Sequence, residues 1–527
     1  MVNKFKYSWL SYGDIGAAAT IIFDNLTILT FMSLILQFGY QFPIDVILKH
    51  MIPGTVAGVL VGNLFCFWLS FRLAKKEKRN VTAIPLGLDA PSAIGFVLCI
   101  IGPAYAMLRQ KGLDVNVAGL QAWHIGVGCL FVLGVIKLIC SIFAKQAKAM
   151  IPQAALLGAI GGVALGLIGF IPLISIFKVP AVGLLSLSIV ILSMYARVRL
   201  PFNFSGIPVA IVIGTIAYFV LASLGLSGAI PVLHTTIEFM LPMPALNMTG
   251  VYNYVISYMA LIIPFALLVV VGTMSVTESA NCMGDNYKVR DLVLIDAIAT
   301  ICSALFGGVS QTTPYAGFPA YKKLDARAGY LIINIIIVGI GGIFGVVGFI
   351  VGLVPESAVA PVLLFVALEI AMQGFVQCDK KYVAPILLAF FPSIARLLQI
   401  KLTDGSLIAT NVMQANMFMQ ARTLSDQLVV VILGNGFIIT GILWATVFCY
   451  AIDRKWVRSF FACMILAILS YFGIIHSLYI NGQVYWPTSL PITVRNVPLT
   501  ISVGYVFMGI LILLSAYLHK KKPLTIL

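Results

Sequence analysis

Apolar runs about twenty residues long recur from one end of this chain to the other, and they constrain its fold more than anything else in it. Each run is long enough to cross a bilayer core of about 30 Å as a helix. Of the 527 residues, 61% are hydrophobic and 10% are charged, where a soluble chain carries roughly 25% charged residues. Backbone amides in hydrocarbon have to be satisfied within the protein, so such a chain folds as an all-α polytopic membrane protein. In the first half, spans are expected at 13–37, 51–73, 82–107, 123–143, 151–174, 181–195 and 207–224. The second half adds 254–283, 292–306, 309–320, 330–353, 358–375, 383–400, 428–450, 460–475 and 501–517. That is about sixteen crossings, or fourteen to fifteen if 358–400 is one broken element.

A formal net charge of +15 would suggest nucleic acid in a soluble protein, but here the distribution speaks for topology. Lys4, Lys6, the Arg72–Arg79 run, Lys145, Lys148, Arg197 and Arg199 fall on one side when the inter-span segments are read alternately. Lys288, Arg290, Lys322, Lys323, Arg327, Lys380, Lys381, Arg454, Lys455, Arg458 and Lys520–Lys522 continue on that same side. By the positive-inside rule it is cytoplasmic and holds both termini of a multi-pass cell-membrane protein, with the lipid bilayer and not nucleic acid as its surroundings. Met1–Lys6 leads into a full-length span without the short apolar core of a cleaved leader. The nine cysteines are scattered singly, with no CxxC pair, so neither a metal site nor a disulfide framework is expected, and no cofactor is indicated. No GxxxxGK[ST] loop is present for direct ATP coupling, and no HExxH or GxSxG for an intramembrane enzyme.

The stretch from Gly272 to Gly329 is the informative one. An apolar span carries Glu278 among Thr277, Ser279 and Asn281. After Gly307-Gly308 comes Gln311-Thr312-Thr313-Pro314-Tyr315-Ala316-Gly317-Phe318-Pro319, too polar and too rich in Pro and Gly for an ordinary spanning helix. Irregular backbone at membrane depth survives where protein or a wet cavity satisfies it. The region Thr82 to Pro91 shares the design: Thr before Pro, a Gly, and a second Pro five or six residues on. Each opening reads as extended chain, with the second Pro in the first turn of a helix. About five extended residues and ten to twelve helical ones would cover the membrane, so each half-helix would start near the midplane. Charge topology runs the two elements in opposite directions, with their helix N-termini facing each other as in inverted-repeat transporters. Two proline-kinked helices in a structural bundle are the alternative.

The runs Gly13-Asp14-Ile15 with Asp24-Asn25, A-x-P-x-G-x-x-x-P-S from Ala83 to Ser92, VTES-A with GDNY, and QTTPYAGFPAYKK-x-x-AR-x-GY resemble the nucleobase/ascorbate transporter superfamily. The nearest branch is the xanthine/uracil permease-like one, and the match extends from about 13 to 352. The resemblance implies a seven-plus-seven inverted repeat. A core domain would span 13–145 and 253–353, and a gate domain 151–226 and 357–519. It also implies a carboxylate in the eighth span that hydrogen-bonds the base, and Glu278 matches that position. Many members carry a second carboxylate at the start of the tenth span's half-helix, where Tyr315-Ala316-Gly317-Phe318 has none.

The expected substrate-binding set is Glu278, Gln311, Thr312, Thr313, Tyr315, Gly317, Phe318, Gly87 and Asp89, with Asp89 also suited to cap the half-helix. Asp24 and Glu278 are the ion-coupling candidates. Asp296 is read as structural beside Arg290, and Lys137 and Arg396 as snorkelling from span ends. Glu369, inside an apolar span of the expected gate, has no assigned role. The functional expectation is a secondary permease that imports a nucleobase-like heterocycle with H⁺ or Na⁺, and a homodimer is compatible with it. An anion transporter of the sulfate-transporter type and a channel stand as alternatives.

Overall fold

A computed structural model of the chain describes residues 7–88, 90–150, 152–198, 206–226, 241–242, 244–245, 250–315, 317–345, 349, 353–404, 419–420, 423–480, 482–492 and 494–521. Among these, nine helices are long and apolar enough to cross a membrane. The pair Asp426–Gly434 and Phe437–Ile452, bent by 83°, makes a tenth, and four shorter apolar helices of 10–17 residues accompany them. The tally falls below sixteen because several runs, such as Pro180–Tyr195 and Trp456–Tyr471, are short, and because 309–320 is mostly not helical. The segments between 358 and 400 are two helices, and the break lies further on, inside the span expected at 428–450.

The chain forms two compact units. The first comprises Met1–Lys145, Phe170–Val255 and Phe265–Phe365; the second comprises Gln146–Gly169, Ile256–Pro264 and Val366–Leu527. Residues 170–226, expected in the gate, thus group with the first unit. There Val190, Ile207, Ala210 and Ile211 share an apolar cluster with Val362 and Phe23.

Six helices and two short strands of the first unit frame its centre. They are α1 (Gly13–Leu34), α2 (Ile52–Glu77), β1 (Leu86–Leu88), α3 (Ala90–Phe96), α4 (Val115–Met150), α5 (Met259–Cys282), α6 (Val289–Leu305) and β2 (Thr312–Pro314). β1 and β2 pair antiparallel, with Leu86 opposite Pro314, Gly87 opposite Thr313 and Leu88 opposite Thr312. The two Pro-rich segments therefore meet as the opposed extended elements that their composition predicts.

The helical parts differ from expectation. α3 runs on through a π-helical turn to Gln110, whereas the second half-helix, α7 (Phe318–Lys323), has six residues. It stops where Asp325 takes a left-handed conformation at φ 54°.

The extended backbone is satisfied by side chains from neighbouring helices. On α2, Asn63 acts as a surrogate strand: its Oδ1 accepts from Leu86 N at 3.2 Å, and its Nδ2 donates to Leu86 O at 2.7 Å. Asn25 on α1 accepts from Leu88 N at 2.8 Å. Thr55 Oγ1 accepts from Val309 N, and the Trp123 indole donates to Gly307 O at 2.7 Å. This is how interrupted backbone persists away from water.

Close packing of α2 on α6 depends on Gly54, Gly58 and Gly62, four residues apart on one helix face. A Cβ on Gly54 would stand 2.1 Å from Gly308 N, and one on Gly58 2.6 Å from Ser303 Cβ. The spacing is plain in GTVAGVLVG, and it locates the helix that the second interrupted segment leans on.

In the second unit, α8 (Phe391–Asp404), α9 (Asp426–Gly434), α10 (Phe437–Ile452) and α11 (Asn496–Lys521) surround a polar turn. The bend between α9 and α10 falls at Asn435-Gly436, where Gly436 has φ 69° and an added Cβ would sit 2.8 Å from Ile475 Cα. Asn435 Nδ2 donates to Ser477 O and Tyr479 O. A hydrogen-bonded chain then runs from the Trp444 indole to Tyr505 Oη, on to His476 Nε2, and from His476 Nδ1 to Ile432 O. Because Ile432 O can only accept, Nδ1 carries the proton and Nε2 accepts from Tyr505.

Candidate functional site

The site is built on the β1–β2 pairing. Successive residues of a strand face opposite sides. Thr312 turns toward α6, where its hydroxyl donates to Asp296 Oδ1 at 3.3 Å. Thr313 and Gly87, paired across the ladder, turn the other way, toward α1. A Cβ on Gly87 would lie 3.2 Å from Asn25 Oδ1, so glycine is what lets Asn25 approach the strand this closely.

At one end of the two segments Asp285, fully buried, pairs with Arg79 at 2.9 Å and Lys322 at 2.6 Å, and it accepts from Thr82 N at 3.1 Å. Arg79 precedes the first segment and Lys322 closes α7, so entry of one and exit of the other share an end. Tyr330 donates to Ala83 O at 2.6 Å, and Tyr287 donates to Thr82 O at 2.8 Å.

Behind β2 lies a buried ionic network. Lys137 on α4 and Asp296 on α6 are both fully enclosed and 2.8 Å apart. The ammonium also donates to Thr300 Oγ1 and Thr312 O at 3.0 Å each, and it lies 3.4 Å from Gln311 Oε1. Thr273 on α5 donates to Asp296 Oδ2 at 3.2 Å. Three expectations are corrected here. Lys137 does not snorkel, because its charge is satisfied inside the unit, and Asp296 is partnered by Lys137 and not by Arg290. Arg396 does not snorkel either: it is 8% exposed and donates to Gln399 Oε1 at 3.0 Å. A lysine in the middle of an apolar run, with an aspartate in another, was the sequence signal for this pair.

The expected site residues separate into groups. Gln311 and Thr312 are buried on the Asp296 side, Thr313 is half-buried, and Phe318 is fully buried in packing. Tyr315 stacks on Tyr321, with centroids 5.6 Å apart and planes at 14°. A Cβ on Gly317 would stand 2.2 Å from the Tyr315 ring, so that glycine accommodates Tyr315. Asp24, 8% exposed, lies within electrostatic reach of Tyr315 and Tyr321. Glu278 is on the exposed face of α5, next to buried Thr277. Asp89 lies outside the described residues.

Two amides matter chemically: Gln311 from the expected set, and Asn25, to which the sequence reading gave no role. Asn25 Oδ1 is committed to Leu88 N and Gln311 Oε1 to Lys137, so the orientation of each amide is fixed by its donor. The remaining groups, Asn25 Nδ2 and Gln311 Nε2, are buried donors without a hydrogen-bond partner among the described residues. Such groups favour acceptor oxygens.

No protein-family model matches the chain, and no curated protein matches its sequence. Solved structures do. SLC26A9 superposes with a TM-score of 0.51 at 12% identity, over 75% of this chain and 66% of that one. The transmembrane domain of a cyanobacterium bicarbonate transporter, BicA, gives 0.49 at 14%, over 74% and 98%. Murine solute carrier 26 family member A9, an anion transporter in the inward-facing state, gives 0.45 at 11%, over 74% and 68%. The likeness to SLC26A9 shows the fold: an all-helical polytopic membrane protein built as a seven-plus-seven inverted repeat.

Proposed function

We propose that the chain is a secondary transporter that binds a small solute beside the β1–β2 pairing and moves it by alternating access. The observation that carries this reading is the antiparallel meeting of Leu86–Leu88 with Thr312–Pro314, two interrupted segments held by Asn63, Asn25 and Lys137 from three helices. Interrupted backbone of this kind is the usual substrate platform of inverted-repeat transporters. Residues 151–169 of the expected gate fall in the second unit, and both termini would be cytoplasmic.

For the solute, the favoured class is a small anion. The unpartnered donor Asn25 Nδ2, on the Gly87 face, supports it, as does the fold shared with SLC26A9. A nucleobase-like heterocycle is the second reading. It is favoured by Glu278, whose carboxylate would accept from a ring N–H edge, and by the sequence runs that resemble nucleobase permeases. Transport would be driven by H⁺ or Na⁺. A thermal-shift screen of the purified chain tests these readings, because a ligand of the native state raises apparent stability. Stabilisation by sulfate, bicarbonate or chloride is expected on the first reading, and by uracil or xanthine on the second. No response to any of these solutes would count against a site for either class.

A further inference from the structure

Four oxygens of the described residues surround the ammonium of Lys137. Its ligands are the Asp296 carboxylate at 2.8 Å, the Thr300 hydroxyl at 3.0 Å, the main-chain carbonyl of Thr312 at 3.0 Å and the amide oxygen of Gln311 at 3.4 Å. Oxygen donors with a single carboxylate are the set a hard cation of one positive charge would take. One carboxylate does not balance a calcium or magnesium ion. The cage is also held together independently of the lysine: Thr273 donates to Asp296 Oδ2 and Thr312 to Asp296 Oδ1. Cage and lysine come from different parts of the chain. The oxygens belong to α6, to Gln311 and to the first residue of β2, while Lys137 reaches in from α4.

We propose that Lys137 is a tethered cation, filling at the second interrupted segment a site that would otherwise bind an alkali-metal ion. The ammonium fixes the Thr312 carbonyl, and with it the register of β2 against β1, by the same contacts a bound ion would make. Wild-type protein then takes no Na⁺ or K⁺ at this position. Lys137→Ala removes the tethered charge and leaves the oxygens, converting the cage into an alkali-cation site. The consequence for coupling rests on the transporter reading: whatever ion drives transport, it does not enter here. The site itself stands on geometry alone and is tested without transport.

The experiment compares melting of the purified full chain in NaCl, KCl and choline chloride at equal ionic strength. Wild type gives the baseline difference among the three salts, which includes any Na⁺ bound at a coupling site elsewhere. Beyond that baseline, Lys137→Ala is expected to melt higher in NaCl or KCl than in choline chloride, with a shift that saturates as alkali cation is titrated in. Adding Asp296→Asn should abolish that shift. If Lys137→Ala folds only when alkali cation is present, that too supports the proposal. It is overturned if Lys137→Ala responds to the three salts no differently from wild type, or is not recovered folded in any of them. It is equally overturned if Lys137→Ala/Asp296→Asn keeps the shift. Because the readout is stability, absence of uptake of any solute would remove the transporter reading and leave this result standing.

Discussion

Asp285 holds the shared end of the two interrupted segments with one side chain. Its carboxylate takes Arg79 on one oxygen and Lys322 and the Thr82 amide on the other, while itself fully buried. A buried carboxylate is tolerated only with this degree of pairing, and removing one partner of a buried pair typically costs 3–5 kcal/mol. Arg79 is 38% exposed and Lys322 23%, so water screens part of the loss. Asp285→Asn is therefore expected to destabilise the protein by about 2 kcal/mol, read as a lower melting temperature that Asp285→Glu partly restores. An unchanged melting temperature would show that Arg79 and Lys322 do not depend on this group. The GDNY run made Asp285 visible as part of a motif, but nothing in the sequence told which cations it would meet. Arg79 is 206 positions away and Lys322 is 37.

At the scale of elements, most of what the sequence predicts is what local chemistry decides. Apolar runs gave the helices, and Pro, Gly and Thr spacing gave the two extended segments and their opposition. What local chemistry does not decide was not legible. The six-residue length of α7 follows from a left-handed turn at Asp325, a residue that also adopts ordinary conformations. The 83° bend between α9 and α10 follows from Asn435 and Gly436 meeting the turn around His476, which lies some forty positions further on. Lys137 looked like a snorkelling residue because its partner is on another span.

One element junction makes a pH prediction. Asp453, after α10, takes Lys381 at 2.8 Å, Tyr382 at 2.8 Å and Lys455 at 3.1 Å. The Lys381 hydrogen bond is the main cause that lowers its carboxyl from 3.8 to about 2. A depressed carboxylate contributes stability that is present above 3.8 and is lost as pH falls toward 2. Denaturation of the wild type followed between pH 5 and pH 2 should show that loss, and Asp453→Asn should have a flatter profile over the same window. Equal slopes for the two proteins would contradict the pairing.

For the whole molecule, the first unit frames two opposed interruptions. The buried charges are gathered behind and at one end of the ladder, at Asp296 and Asp285. The face carrying Thr313 and Gly87 is left with small residues and the Asn25 amide. Transport through this face is the central claim, and uptake into proteoliposomes tests it most directly. Wild-type protein and Thr313→Trp, matched for amount and melting temperature, would be given labelled sulfate, bicarbonate, uracil and xanthine under imposed H⁺ and Na⁺ gradients. The account predicts saturable, gradient-driven accumulation of one solute class by wild type and its loss in Thr313→Trp. No accumulation of any solute by wild type, or undiminished accumulation by Thr313→Trp, would contradict it.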